Sequence, residues 1–418
     1  MAVLVLHRNP FEPFPYQRWL ADYDGDVVIV AARDKLEAFG ERVPPDHLGF
    51  RHLEVLDDYE RDMPGRAAAL AEQHRVSHVL APHEADLQVA AALRERRGLA
   101  GPYPGDILPF RDKLVMKRLA GAAGIPVAPY AAASDAGQVR AFVAEHGLPV
   151  VLKQRAGYNS IGLRIVRDEA GLEAVLAEAF GPGRSRDDLI VESFVAGRMC
   201  HVDGFVRAGR TAVAWPSQYQ YDLASFGTDP GPRVDLALDP QDPLTDRLLT
   251  LVDRVLAALT DRSGRLTDHA FHAEVFHTPD DRLVLCEIAC RSSGGKVREV
   301  FEVLFGVNLA ELEVRTQLGL PTPGLDGLAG SRPRTMAGQV ILMKRPGLVR
   351  AVPPAPEEEW VRRHWYWARP GQVIPPAAGS ADFLACVVAS APSRAECEAR
   401  LRKLGDRIAA GFEIAEVS

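Results

Sequence analysis

The sequence predicts an α/β and α+β multidomain protein, and three observations carry that expectation. Short apolar runs alternate with helical stretches up to about residue 105, a hairpin with opposed acids follows much later, and from about Thr335 short strands accompany one long helix. At 418 residues the chain has room for roughly two to four domains, each able to bury its own core. Its 47% hydrophobic and 25% charged residues are ordinary globular values, and a net charge of -7 argues against a dedicated nucleic-acid binder, which needs a basic surface. Small anionic ligands remain open. Five cysteines without a C-x-x-C spacing fit a reducing compartment, and Cys286 and Cys290 read as core residues. No apolar run approaches a membrane span, and Met1-Ala-Val-Leu-Val-Leu6 is too short and too poor in basic residues to read as a signal peptide. The expected location is cytoplasmic, with no nucleic-acid or membrane partner.

In the first domain, residues 1–105, strands are expected at Val3 to Leu6, Val27 to Ala31 and His78 to Ala81, with a helix from Glu84 to Arg97. That alternation predicts a small parallel α/β unit, and the absence of G-x-G-x-x-G gives no sign of a dinucleotide. Gly101-Pro-Tyr-Pro-Gly105 marks its end. In the stretch Phe110 to Tyr130 one helix is predicted, with Asp112 as N-cap, Lys113 in its first turn and a stop at Gly124 and Pro126. A lysine there opposes the helix dipole, which points to a nearby anion, although a solvated surface lysine explains it equally well. Pro149 to Lys153 reads as a strand, Ala156-Gly-Tyr-Asn-Ser-Ile-Gly162 as a small-residue loop and Leu163 to Val166 as the return strand. Such a flap can surround phosphates with backbone N–H groups, with Lys153 as a point charge at its base, but by itself a glycine-rich hairpin is more often a plain turn.

Asp188 to Gly197 and Cys200 to Val206 predict two more strands, the second carrying His201 and Asp203. Residues 211 to 233, including Ala214-Trp-Pro-Ser-Gln-Tyr-Gln-Tyr221 and Gly227-Thr-Asp-Pro-Gly-Pro-Arg233, read as a long ordered loop covering a substrate. A symmetric hairpin about Pro279-Asp-Asp-Arg282 sets Glu274 opposite Glu287, a repulsive pairing that needs a cation or a shared proton. Phe276 and Leu285 are expected on the acid face, and Phe271, Ala273, Val275, Val284, Cys286 and Ile288 on the core face. Two carboxylates with phosphate oxygens are a usual magnesium site; the bland alternative is a hairpin with one wet face. Arg291 precedes an amphipathic helix through Phe305, so guanidinium and free N–H groups offer an anion site beside the acids, unless the arginine merely neutralises Glu287. The tail predicts a separate small α+β domain with a helix opened by Ser393-Arg-Ala-Glu396 and closed by Gly411.

Six stretches, in order, resemble the ATP-grasp superfamily, and within it carboxylate-amine ligases of the L-amino acid ligase type. They are Phe110-Arg-Asp-Lys113, Val151-Leu-Lys153 with its glycine loop, Val191-Glu-Ser-Phe-Val-Ala-Gly197, His201-Val-Asp-Gly204, His272-Ala-Glu-Val-Phe276 and Glu287-Ile-Ala-Cys-Arg291. The resemblance implies a Rossmann-like N-terminal domain (1–105), an ATP-grasp domain (106–334, lid about 125–197) and a small C-terminal α+β domain (335–418). It implies that Lys113 and Lys153 contact ATP phosphates under the loop from Gly157 through Ser160 to Gly162. Ser193 and Val195 would offer backbone groups to adenine, and Glu192 would face its amine. Glu274 and Glu287 would hold two Mg2+ ions, and Arg291, with Lys153, would serve the reaction by holding the acyl substrate or the transferring phosphoryl group. Met199 stands where relatives place a ribose-binding glutamate, so Asp203 or His201 is expected to take that contact. Ala289 replaces a third metal ligand, an asparagine, and Gln154 a proline.

The small residues Ser292 to Gly295 predict a roomy acyl pocket that a Gly295→Trp change would narrow. The implied reaction activates a small carboxylic or amino acid as an acyl phosphate and joins it to an amine, with ADP and phosphate released. Its partners would be the small carboxylate and amine substrates, and a homodimer is an expected assembly. A biotin carboxylase-like carboxylation and a nucleotide-binding module without turnover are the competing readings.

Overall fold

The computed structural model describes residues 1–38, 40–41, 49–181, 185–225, 228–260 and 263–416. Gly227 of the expected cover and residues 182–184 of the expected lid lie outside the described residues. The N-terminal part alternates β1 (Ala2–His7), α1 (Tyr16–Trp19), β2 (Asp26–Ala32), α2 (Arg33–Ala38), β3 (His52–Leu56), α3 (Tyr59–Gln73), β4 (Val76–Leu80) and α4 (Leu87–Arg97). The strands form a parallel sheet in the order β3-β2-β1-β4. A parallel sheet is covered on both faces, which is why β1 is a continuous apolar run. Leu4 and Leu6 enter one core, and Val3 and Val5 the opposite one. The strand β3, which lies at the sheet's edge and carries Glu54, has no such run and escaped the sequence reading.

The helix expected in the stretch Phe110 to Tyr130 is α6 (Lys113–Ala122), and α5 (Pro104–Arg111) precedes it. Asp112 separates them in an extended conformation (φ -105°, ψ 107°), and its carboxylate accepts from the N–H groups of Leu114 and Val115. The N-cap assignment holds. The lid follows: β5 (Tyr130–Ala132), α7 (Ala136–His146), β6 (Val150–Gln154), β7 (Arg164–Val166), α8 (Glu169–Phe180) and β8 (Leu189–Ser193). Its antiparallel sheet, β5-β8-β6-β7, packs one face on α7 and α8 through Phe142, Leu172 and Leu176, and the other face lines a cleft.

The large sheet contains β9 (Arg198–Arg207), β10 (Arg210–Tyr219), β11 (Arg233–Ala237), β12 (His269–His277), β13 (Leu283–Ala289), β14 (Met336–Met343), β16 (Val361–Tyr366) and β18 (Phe383–Ala391). Three short strands, β15 (Gly347–Ala351), β17 (Val373–Ile374) and β19 (Glu413–Ala415), make a separate sheet. Helix α9 (Pro243–Leu259) covers one face of the large sheet with Leu248, Val252 and Val255, while α10 (Val297–Phe305) and α11 (Leu309–Gln317) lie on the other. Helix α12 (Arg394–Gly411) is capped by Ser393, as expected, and packs Leu401 and Ile408 against β14 and β18.

Two expectations are corrected here. Residues 211 to 233 are not one long loop, because Arg210–Tyr219 is a central strand paired with β9. Pro216 reads as a strand breaker, but it sits where the ladder to β11 has ended: the last pair is Ser217 with Ala237, and the Pro216 carbonyl still accepts from Leu238 N–H. Nor does the sheet stop at Thr335. The order β13-β12-β9-β10-β11-β14-β18-β16 carries C-terminal strands into the same sheet as the acid-bearing hairpin.

Candidate active site

The hairpin β12/β13 sets Glu274 opposite Glu287, as expected. The register nearer the turn differs from the symmetric one. Thr278 N–H donates to Arg282 C=O across Pro279-Asp280-Asp281, with Asp281 left-handed (φ 60°), so Val275 pairs with Leu285 and a bulge after Glu274 restores the acid pairing. The extra residue reverses the parity of β13. Leu285 is therefore in the core with Val275 and Ala273 rather than on the acid face, and Cys286, buried as expected, lines the cleft.

Lys113 Nζ lies 3.0 Å from Glu287 Oε2 and donates to Gly157 C=O at 2.8 Å, tying the acid pair to the glycine flap. Burial opposes charge on Glu287, but Lys113 and Lys153 more than offset it and hold its carboxyl below the usual range. A second cluster lies deeper: Lys153 Nζ and Lys117 Nζ approach Glu192 Oε2 at 3.2 and 3.3 Å. The other oxygen, Glu192 Oε1, is buried without a hydrogen-bond partner among the described residues. Burial would lower the Lys153 ammonium, but Glu192 raises it instead. Between lid and large sheet runs a cleft of about 480 Å³ with Val151, Ile165, Met199 and Phe276 among its walls. Lys113, Lys153, Gly157, Ser160, Glu192, Ser193 and Val195 line it together with both acids. Gly162 does not; its positive φ of 71° shapes the end of the flap.

A smaller cavity of about 130 Å³ shares the wall formed by Glu274, Glu287, Lys113 and Tyr219. Its charged floor is Glu84, which accepts from Arg291 Nε at 2.5 Å and also from Arg111. Among the described residues, Arg111 Nε is buried without a hydrogen-bond partner. Burial pushes the Glu313 carboxyl up to about 8, and its Oε2 accepts from Ser292 N–H at 3.4 Å behind this floor.

The family model described as "Carbamoyl-phosphate synthase L chain, ATP binding domain" matches residues 112–204, the stretch from Lys113's helix through the lid into β9. The chain is 25% identical to the L-arginine-specific L-amino acid ligase of Bacillus subtilis, over 62% of each protein. It therefore spans less than two thirds of that relative's length. It is 30% identical to the N5-carboxyaminoimidazole ribonucleotide synthase of Mycobacterium bovis over 46% of this chain and 42% of that protein. In structure it resembles the L-amino acid ligase of Bacillus licheniformis with a TM-score of 0.73 at 17% identity, covering 100% and 99% of the two chains. The match to an ATP-binding domain covers residues 112–204, and the chain as a whole shares the fold of the L-amino acid ligase structure. A biotin carboxylase domain from Hydrogenobacter thermophilus, solved with MgADP and bicarbonate, shares the fold with a TM-score of 0.70 at 18% identity, over 100% and 91% of the chains.

Within this ATP-grasp fold, the expected contact of Asp203 with a ribose is overturned. Asp203 is 2% exposed and absent from the cleft walls, with Oδ2 2.5 Å from His201 Nδ1 and Oδ1 2.9 Å from His272 Nδ1. Its oxygens are taken by neighbours on its own sheet face. His201, fully buried, also reaches Asp235 at 3.0 Å, so it serves the network and not a ribose. Burial lowers both imidazoles, but the aspartates raise His201 to about 10 and His272 to about 9. Both imidazoles are held toward the protonated form. Among the described residues, His201, Asp203 and His272 have metal-ligand spacing, but hydrogen bonds within the cluster satisfy them.

Of the expected aromatic cover, Tyr219 and Tyr221 line both cavities, while Trp215 is buried in the core. Sequence reasoning missed Lys117, Glu84 and Arg111. Lys117 had a signal, since it follows Lys113 by one helical turn on the same face. Glu84 and Arg111 had none. Ser293, Gly294 and Gly295 line the smaller cavity, and the Phe383 ring bounds it, 3.7 Å from where a Cβ on Gly295 would lie. Gly295 has φ +61°, so Gly295→Trp would strain the backbone as well as fill space.

Proposed function

We propose that the chain is an ATP-dependent ligase that activates a small carboxylic or amino acid as an acyl phosphate and joins it to an amine, with release of ADP and phosphate. The observation that carries this reading is the common wall: the same two acids and Lys113 border both the cleft and the arginine-floored cavity. A nucleotide in the cleft and a carboxylate in the cavity would meet there. The unpartnered Glu192 Oε1 fits an adenine amine, and the backbone of Ser193 and Val195 is at hand beside it.

Glu274 and Glu287 fit hard divalent cations, since they are opposed carboxylates with an ammonium already drawn to one of them. Mg2+ bound there, as two ions in this reading, would neutralise phosphate oxygens. Transfer between two anions is slowed chiefly by charge repulsion, and the chain's own cations relieve it. Lys153 and Lys113 serve the phosphates, while Arg291, with Arg111 alongside, orients the acid. The flap and the two tyrosines exclude water from the reactive acyl group.

The test is Glu287→Gln with a phosphate-release screen over pairs of small acids and amines, products being identified by mass. Substrate-dependent ADP release should fall on the order of 1000-fold with the melting curve preserved. Full release by this variant refutes the acid-pair assignment.

A further inference from the structure

Small residues beside Arg291 line the smaller cavity, and the C-terminal strands bound it on the facing side. Phe383, the first residue of β18, faces Gly295, and Ile341 of β14 joins it in lining the small cavity. We propose that Phe383, with Ile341 beside it, is a specificity wall that limits the activated acid to a small side chain. This deepens the ligase reading and rests on it. The cavity measures about 130 Å³. A cavity of about 150 Å³ accommodates a six-carbon ring, so an acid of roughly six or seven non-hydrogen atoms fits. Alanine and serine meet that limit, and leucine and phenylalanine exceed it.

The wall is braced from behind. The Phe383 ring packs on Trp367 with centroids 5.9 Å apart. The preceding turn is closed by Ala378 N–H to Asp382 Oδ2 at 2.7 Å and by Lys344 Nζ to Asp382 Oδ1 at 3.2 Å. The same turn reaches the flap, where Ser380 N–H donates to Asn159 C=O at 3.1 Å. Gly379 permits that approach, because a Cβ there would lie 2.9 Å from Asn159 O. An acid with a bulky side chain must therefore displace a packed ring and the turn that latches the flap, not a free loop.

The experiment uses the full chain, with Mg2+ and a non-hydrolysable ATP analogue, titrated calorimetrically with glycine, alanine, serine, leucine and phenylalanine. ADP release with ATP and the same acids is measured in parallel. Wild type should prefer alanine or serine over leucine by tenfold or more, and Phe383→Ala should cut that preference at least tenfold. Phe383→Leu keeps an apolar group against Trp367 and reports the same shift, in smaller measure, if the alanine variant does not fold. Equal binding and turnover of leucine and alanine by wild type overturns the wall while leaving the ligase intact. So does an unchanged preference in folded variants, and so does a lack of binding by every acid. Size-selective binding without ADP release from any acid upholds the wall and removes the ligase reading.

Discussion

The two cavities that meet at Glu274 and Glu287 are built in opposite ways. The larger draws most of its wall from contiguous runs, residues 151–165, 192–199 and 219–224, laid on facing sheets. The smaller gathers Glu84, Arg111, Arg291, Gln339 and Phe383 from every part of the chain. In the larger, backbone and apolar side chains define a shape, with one pair of lysines around Glu192. In the smaller, charged side chains are paired to one another before any ligand arrives.

Substitutions can separate the two. The largest expected effect is in the cleft: Lys153→Met removes a phosphate charge and leaves Glu192 with one cation, weakening binding of an ATP analogue by roughly 100-fold in calorimetry. Arg291→Lys loses the planar fork toward a carboxylate, so kcat/KM for the acid should fall roughly 30-fold while affinity for the analogue changes less than threefold. Equal losses on both would break the division between the cavities. Lys117→Met, which removes the ammonium that reaches Glu192 and the Cys286 carbonyl, should raise the KM for ATP by about tenfold and leave the preference among acids as in wild type.

The smallest effect concerns pH. The Glu313 carboxyl, raised from 4.5 to about 8, binds a proton that the unfolded chain has released. Its contribution to stability is fully present below pH 4.5, is lost as pH rises toward 8, and is flat beyond. The melting temperature of wild type should therefore fall further between pH 6 and 8 than that of Glu313→Gln, by a few degrees. Parallel curves would show that the carboxyl behind the arginine floor is not held protonated.

Local chemistry in the sequence determined much of this protein. The β1 run, the Asp112 and Ser393 caps, the glycine flap and the Glu274–Glu287 pairing follow from periodicity, capping and turn position, all of which act over a few residues. Even there, one left-handed residue in the turn, Asp281, was enough to send Leu285 to the core and Cys286 to the cleft. Tertiary structure decided the rest. Asp203 was claimed by two histidines, and Pro216 was tolerated because a neighbouring strand had ended. Phe383 crossed from the tail to bound the smaller cavity because β14 and β18 extend the same sheet. Such outcomes depend on hydrogen-bond partners and packing neighbours far away in the chain, and the residues themselves carry no local mark of them.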